Sequence, residues 1–128
     1  MNIKGFVLSW GMLLLGVLMN VFGIYVIKMK MNSMGGLQIN SFMSAITYFF
    51  ALIKIPLVLV GAVVILTAPL PYAVALSRMN LSVAYPASVA LSCLILLPLS
   101  VMFLGEPLLW GKSVAIGLLV VSLYLLYK

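Results

Sequence analysis

Few side chains in this sequence could perform acid–base, nucleophilic or metal chemistry. The 128 residues include no His, no Asp, a single Glu (Glu106) and a single Cys (Cys93). One chain therefore cannot supply the ligand cluster that a metal ion needs, or the carboxylate pair used in general acid–base catalysis. A Ser nucleophile would lack an imidazole partner, and Cys93, inside an apolar run, is expected to behave as a small hydrophobic residue. We therefore expect no enzyme activity, no metal and no cofactor.

The first long apolar run carries one small, polar face. Gly16, Asn20 and Gly23 are spaced i, i+4 and i+7, so they share one side of a helix whose other residues are mostly Leu, Val, Met and Phe. A polar side chain at mid-membrane depth usually faces the interior of a helix bundle. Two interpretations stay open: the face is a close-packed contact between helices, or it lines a transport path.

Two prolines interrupt the second apolar run. Pro69 and Pro71 lack a backbone N–H and clash with the preceding turn, so the helix should bend or open there and leave carbonyls free. Free carbonyls inside a membrane must face protein or a water-filled cavity. The segment 67–72 is therefore a candidate cavity wall, and a kink that only improves packing is the alternative.

A second semi-polar face and the only acid follow in the third run and its loop. Tyr85, Ser88 and Ser92 are spaced by three and four residues, which places them on one side of a helix. Glu106 precedes Pro107, and a proline suits the first turn of a helix. We therefore expect Glu106 near a helix start, where the helix dipole favours a carboxylate.

The composition indicates a membrane protein. Hydrophobic residues make up 66% of the chain and charged residues 6%, with a mean hydropathy of +1.37, whereas about a quarter of the residues in soluble domains are charged. The net charge of +6 is spread along the chain and forms no patch, which argues against nucleic-acid binding. The basic residues are Lys4, Lys28, Lys30, Lys54, Arg78, Lys112 and Lys128.

Four apolar runs are long enough to cross a bilayer, since a helix needs about 20 residues to span its hydrocarbon core. They predict an all-α fold: a single membrane domain, residues 1–128, built as a four-transmembrane-helix bundle. The predicted spans are residues 6–27, 56–77, 83–103 and 108–127.

The segment 37–54, between the first two spans, has an amphipathic pattern. Its large apolar residues recur at helical spacing, while polar residues such as Gln38 and Asn40 fall largely elsewhere on the wheel. This pattern predicts an amphipathic helix in the headgroup layer, with Lys54 at the water and Pro56 starting the next helix. The alternative is that the segment extends the second span as a tilted helix. The apolar positions are Phe42, Ile46, Phe49, Phe50 and Ile53.

Four spans place both termini on one side of the membrane. That side carries three basic residues and the other carries four. The difference is too small for the positive-inside rule to predict an orientation. Either the chain inserts in both orientations and pairs antiparallel, or a partner fixes one orientation.

Two motifs carry a resemblance to a known family. The stretch 75–86 (ALSRMNLSVAYP) and the later FLGEPL at 103–108, followed by a glycine-bearing last helix, resemble the drug/metabolite transporter superfamily. With four spans the chain is similar to the small multidrug resistance transporters and, more closely, to EamA-like subunits such as the aminoarabinose–undecaprenyl phosphate flippases. The resemblance implies a multi-pass transporter of the bacterial inner membrane that works as a homodimer or with a paralogue.

The chain departs from the drug-exporting members at two positions. The drug exporters that this chain resembles share a Glu within the membrane at the position of Asn20. They also share a Trp at the position of Ser88. An amide does not titrate, so this position offers no side chain that could bind and release a proton in exchange for a cation. The aromatic wall for a flat cation is also missing.

The resemblance and its departures together lead to one expected function. We expect translocation of an amphipathic substrate such as a polyprenyl-phosphate-linked sugar, whose phosphate rests near Lys28 or Arg78 while the sugar passes Asn20, Tyr85 and Ser88. Lys28 lies eight residues beyond Asn20, or about 12 Å along a helix. The alternatives are export of a small molecule or drug, and a non-catalytic scaffold subunit. The expected set of substrate-binding residues is completed by Gly16 and Gly23.

Overall fold

The fold is all-helical over the residues that the computed structural model describes, 2–35 and 40–128. It contains six helices and no strand in these ranges, which confirms the predicted all-α bundle with a shorter apolar helix between the first two spans. The helices are α1 (Ile3–Ser33), α2 (Phe42–Ile53), α3 (Pro56–Thr67), α4 (Pro69–Leu76), α5 (Leu81–Phe103) and α6 (Trp110–Tyr127).

Within the described part of the chain, four helical segments are long and apolar enough to cross a membrane. They are α1, the 21-residue segment formed by α3 and α4, α5 and α6. The protein is therefore a multi-pass membrane protein. Because successive spans alternate in direction, α1 and α5 run parallel, and the rings of Phe6 and Tyr127 lie 6.1 Å apart at the end where both termini meet.

α1 is the central element of the bundle. It packs against α3, α4 and α5, whereas α6 packs mainly on α5 and has no buried residue. The core near the termini is built from Leu13 of α1, Ala75 of α4, and Ala84 and Ala87 of α5, all fully buried. Alanines let the helix backbones approach closely, and this close approach suits a bundle in which lipid replaces water around the outside.

Glycines in left-handed conformation end α1 and α5. Gly35 (φ +87°) follows the last turn of α1, and Gly105 (φ +67°) follows that of α5. An L side chain is strained in this conformation, so glycine is the usual residue just past a helix end. α1 continues to Ser33, beyond the predicted span end at residue 27, because charged residues end an apolar span without ending a helix.

The second span is interrupted at Ala68, as the prolines predict. α3 ends at Thr67 and α4 starts at Pro69, while the Ala68 N–H donates to the carbonyl of Val64 at 2.9 Å. Pro69 and Pro71 have no N–H to continue the hydrogen-bond ladder, so the span consists of two helical pieces.

α2 is a separate helix that begins with a capping box. The backbone N–H of Ser44 donates to Ser41 Oγ, and the backbone N–H of Ser41 donates to Ser44 Oγ. Lys54 and Ile55 separate α2 from α3, so α2 does not continue the second span as one helix. Positions 37–39 of the predicted amphipathic segment, including Gln38, lie outside the described residues. The placement of α2 in the headgroup layer remains a prediction.

The start of the last helix differs from the prediction. α6 begins at Trp110, so Pro107 lies in the preceding loop and not in the first turn. The expected contact of Glu106 with a helix dipole is therefore wrong, because three residues lie between Glu106 and the first residue of α6 and the dipole acts mainly within the first turn. The Glu106 N–H instead donates to the carbonyl of Ser100.

Candidate functional site

A cavity of about 340 Å³ opens between α1, the break in the second span, and α5. It lies near the midpoints of these three spans and therefore at mid-membrane depth. Its volume is at the lower end of the range for small-molecule sites, about 300–1,000 Å³. The lining residues are Gly16, Val17, Asn20, Ala68, Pro69, Tyr72, Tyr85, Ser88, Val89, Ser92 and Cys93.

Serine hydroxyls on α5 present acceptors to this cavity. Ser88 Oγ donates to the carbonyl of Tyr85 at 2.8 Å, and Ser92 Oγ donates to the carbonyl of Ser88 at 2.7 Å. Each hydroxyl proton is thus used within the helix, while the oxygen keeps its lone pairs for an incoming donor. Asn20, half-buried on α1, adds an amide that both donates and accepts.

Tyr72 lines the cavity and carries a hydroxyl that the described residues leave unpaired. Its hydroxyl oxygen is buried and has no hydrogen-bond partner among the described residues. A buried polar group without a partner costs about 1–3 kcal/mol.

Gly16 allows the break in the second span to come close to α1. A Cβ at position 16 would lie 3.2 Å from the carbonyl oxygen of Ala68 and 3.3 Å from Tyr72 Cβ, which is tighter than ordinary packing. Gly16 therefore sets the distance between two walls of the cavity. Its contribution is space, since glycine has no side chain to bind a substrate.

The cavity is mainly apolar and electrically neutral, with a few polar groups in its wall. None of the described residues that line it is charged, and the mixture of amide, hydroxyl, thiol and apolar groups suits an uncharged, hydroxyl-bearing ligand. Because the site is at mid-membrane depth, a bare charge without a counter-charge would be strongly disfavoured there.

A second cavity of about 250 Å³ lies further along the same two helices. It begins one turn beyond the first, at Ile24 on α1 and Leu96 on α5, and it reaches Glu106 in the loop before α6. Lys28 Nζ lies 3.9 Å from Glu106 Oε1 at this end. The two cavities thus follow one groove between α1 and α5, which is neutral at mid-depth and carries an ion pair at its end.

The structure brings most of the predicted site residues into this groove. Asn20, Gly16, Tyr85 and Ser88 line the first cavity, and Lys28 lines the second.

Two predicted residues lie elsewhere. Gly23 packs into the contact between α1 and α3, where a Cβ would collide with Ile65 and Gly61. Arg78 is exposed in the turn between α4 and α5 and lines neither cavity.

The predicted cavity wall at 67–72 is confirmed through Ala68, Pro69 and Tyr72. The residue pattern predicts no role for the Tyr72 hydroxyl, and it predicts that Cys93 is only a small hydrophobic residue. Tyr85, Val89 and Cys93 recur every four residues on α5, and that spacing could have placed Cys93 on the cavity side. No comparable pattern marks Tyr72.

Comparisons with known proteins leave the family open: no family model, no curated protein and no solved structure matches this chain.

Proposed function

We propose that this protein is a membrane transporter of the drug/metabolite type that translocates an amphipathic, lipid-linked substrate such as a polyprenyl-phosphate-linked sugar. The observation that carries the proposal is the uncharged, mainly apolar cavity at mid-depth, in which Asn20 and Ser88 offer an amide and a hydroxyl. The hydroxyl groups of a sugar can hydrogen-bond to the amide and hydroxyl groups of this cavity. The lipid tail stays in the bilayer beside the groove.

The charge distribution favours this substrate over a cationic drug. The first cavity offers no carboxylate to balance a cation, and Asn20 cannot exchange a proton. The charged groups of the groove lie at its end, where Lys28 provides a cation for the phosphate of a lipid-linked sugar. The substrate would therefore place its neutral part deep and its phosphate near the membrane surface.

A second copy or a paralogue completes the transport path in this proposal. Four spans enclose little space, and α6 has no buried residue in the single chain. Alternating access would then come from rocking of the two halves around the central cavity. We place the complex in the inner membrane of a bacterium.

Reconstituted vesicles test the proposal. The full chain is placed in vesicles that contain a polyprenyl-phosphate-linked sugar, and periodate added outside oxidises only the sugars on the outer leaflet. We expect the oxidised fraction of the lipid-linked sugar to exceed the fraction that starts in the outer leaflet. Replacing the amide by Asn20→Leu should slow this rise about tenfold, since one hydrogen bond in a desolvated site is worth about 1.4 kcal/mol.

The control is Leu18→Met, a volume-conserving change on the exposed side of the same helix. It should leave the rate unchanged. A rate in Asn20→Leu equal to that of the original protein, or no translocation above protein-free vesicles, would reject the proposal. Drug resistance of host cells without movement of the lipid would indicate the small-molecule exporter instead.

A further inference from the structure

The ion pair at the end of the groove joins two elements that are distant in sequence. Lys28 lies near the end of α1, and Glu106 lies in the loop that follows α5. Both side chains are partly exposed, at 48% and 35% respectively. Both residues line the second cavity, on the side away from the first cavity.

The pair is loose enough to exchange partners. Charge-assisted N–H···O bonds are about 2.7–2.9 Å long, whereas Lys28 Nζ and Glu106 Oε1 are 3.9 Å apart. Exposed pairs of this kind are held weakly because water screens both charges. A stronger anion that reaches Lys28 can thus replace the carboxylate.

The loop that carries Glu106 is attached in a way that permits such an exchange. Pro98 lies inside α5 and has no N–H for the carbonyl of Leu94, so the last turns of α5 lack one hydrogen bond. Gly105, directly before Glu106, has a positive φ and no side chain. The backbone of Glu106 keeps its hydrogen bond to the carbonyl of Ser100, so the exchange requires only that the Glu106 side chain turn away from Lys28.

The local charge favours an anionic ligand once Glu106 has moved. Lys112, on the first turn of α6, donates from Nζ to the carbonyl of Pro107 at 3.1 Å. Among the described residues that line the second cavity, Lys28 is the only cation and Glu106 the only acid. With Glu106 displaced, the site presents a cation next to a cavity of about 250 Å³.

We propose that Glu106 is a specificity-determining gate residue: it occupies Lys28 and closes the α1–α5 groove until a lipid-borne phosphate takes its place. The inference rests on the proposed function, since it names the group that gives the substrate access to the path. A phosphate group offers more acceptor oxygens than a carboxylate, so it can compete for an ammonium group. Lipids without an anionic headgroup leave the gate closed.

Binding and opening are measured on the purified full chain in detergent. Lysophosphatidic acid is the lipid-borne phosphate, inorganic phosphate is the free one, and a neutral monoacylglycerol with the same acyl chain is the reference. Cys93 reports opening, because it lines the first cavity and is the only cysteine. We expect lysophosphatidic acid to raise the rate at which a hydrophilic thiol reagent labels Cys93, and the other two to leave it unchanged.

Variants show whether Glu106 competes with the lipid phosphate for Lys28 or only holds the loop in place. Glu106→Gln should bind lysophosphatidic acid about 3- to 10-fold more tightly, because the internal competitor has lost its charge. Lys28→Met should abolish the preference over monoacylglycerol. The double variant with Lys28→Glu and Glu106→Lys restores a pair and should label slowly without lipid, which shows that the fold is retained.

The outcomes are distinct. Faster labelling of Glu106→Gln without any gain in affinity for lysophosphatidic acid would overturn the proposal, because the pair would then only hold the loop. Equal effects of inorganic phosphate would also overturn it. A chain that shows the expected affinities but translocates no lipid-linked sugar would keep the gate and reject the proposed transport function.

Discussion

Gly23 of α1 and Gly61 of α3 face each other where these two helices come into close contact. A Cβ at position 23 would lie 2.6 Å from the carbonyl oxygen of Gly61, and a Cβ at position 61 would lie 3.4 Å from the carbonyl oxygen of Gly23. The two glycines thus bring α1 and α3 together, and both are buried. Gly23, on the same helical face as Asn20, serves the packing between helices while Asn20 serves the cavity.

Gly23→Ala should destabilise the bundle by about 1–3 kcal/mol, because an added methyl group in a tightly packed contact forces the backbones apart. Unfolding by dodecyl sulfate, followed by circular dichroism, measures the change. The matched control is Gly11→Ala on the same helix, where nothing lies within 4 Å of the added Cβ. There we expect no loss, or a gain of up to about 1 kcal/mol from the better helix propensity of alanine. Equal losses at both positions would contradict the packing role of Gly23.

Cys93 should react with a small, uncharged thiol reagent through the first cavity. Asn20→Phe places a large ring in that cavity and should slow the labelling of Cys93 several-fold, about 3- to 10-fold for a partly blocked site of this size. Leu18→Phe adds the same ring on the exposed side of α1 and should have no effect. The labelled fraction is followed by mass spectrometry over time. A similar slowing in both variants would mean that Cys93 is not reached through the cavity.

The depth of α2 in the membrane is open to direct measurement. Phe42, Phe49 and Phe50 are 81%, 61% and 59% exposed, so this helix presents aromatic rings to its surroundings. In a Phe49→Trp variant with Trp10 and Trp110 replaced by Phe, we expect lipids brominated near the carbonyls to quench the fluorescence more than lipids brominated near the chain ends. Stronger quenching from the chain ends would favour a tilted extension of the second span.

The orientation of the chain should respond to small changes in charge. The side with the termini carries Lys4, Arg78 and Lys128, against four lysines on the other side. Reporter fusions after Lys128 should give signal from both sides of the membrane. Asn2→Lys together with Asn80→Lys should shift the population towards termini inside the cell. Asn32→Lys with Ser33→Lys should shift it the other way, and one fixed orientation in all three proteins would reject dual insertion.

The sequence was sufficient for the helices and for part of the site. Apolar run length located the spans, and Pro69 with Pro71 located the break that lines the cavity, because both effects are local along the chain. The start of α6 was missed since Pro107 also suits a loop, where its carbonyl accepts from Lys112. The Lys28–Glu106 pair could not be predicted from the sequence, because it depends on how α1 and α5 pack side by side. The unpaired hydroxyl of Tyr72 depends on the same packing.

The helices of this bundle differ in length, and that difference affects the lipid around them. α1 has 31 residues, or about 46 Å, whereas α6 has 18 residues, or about 27 Å. The hydrocarbon core of an average bilayer is about 30 Å thick. α1 can meet this thickness by tilting or by extending into water, but α6 is slightly too short and requires the lipid beside it to thin. Hydrophobic mismatch is therefore concentrated along one edge of the protein, and a thinner bilayer would relieve it there.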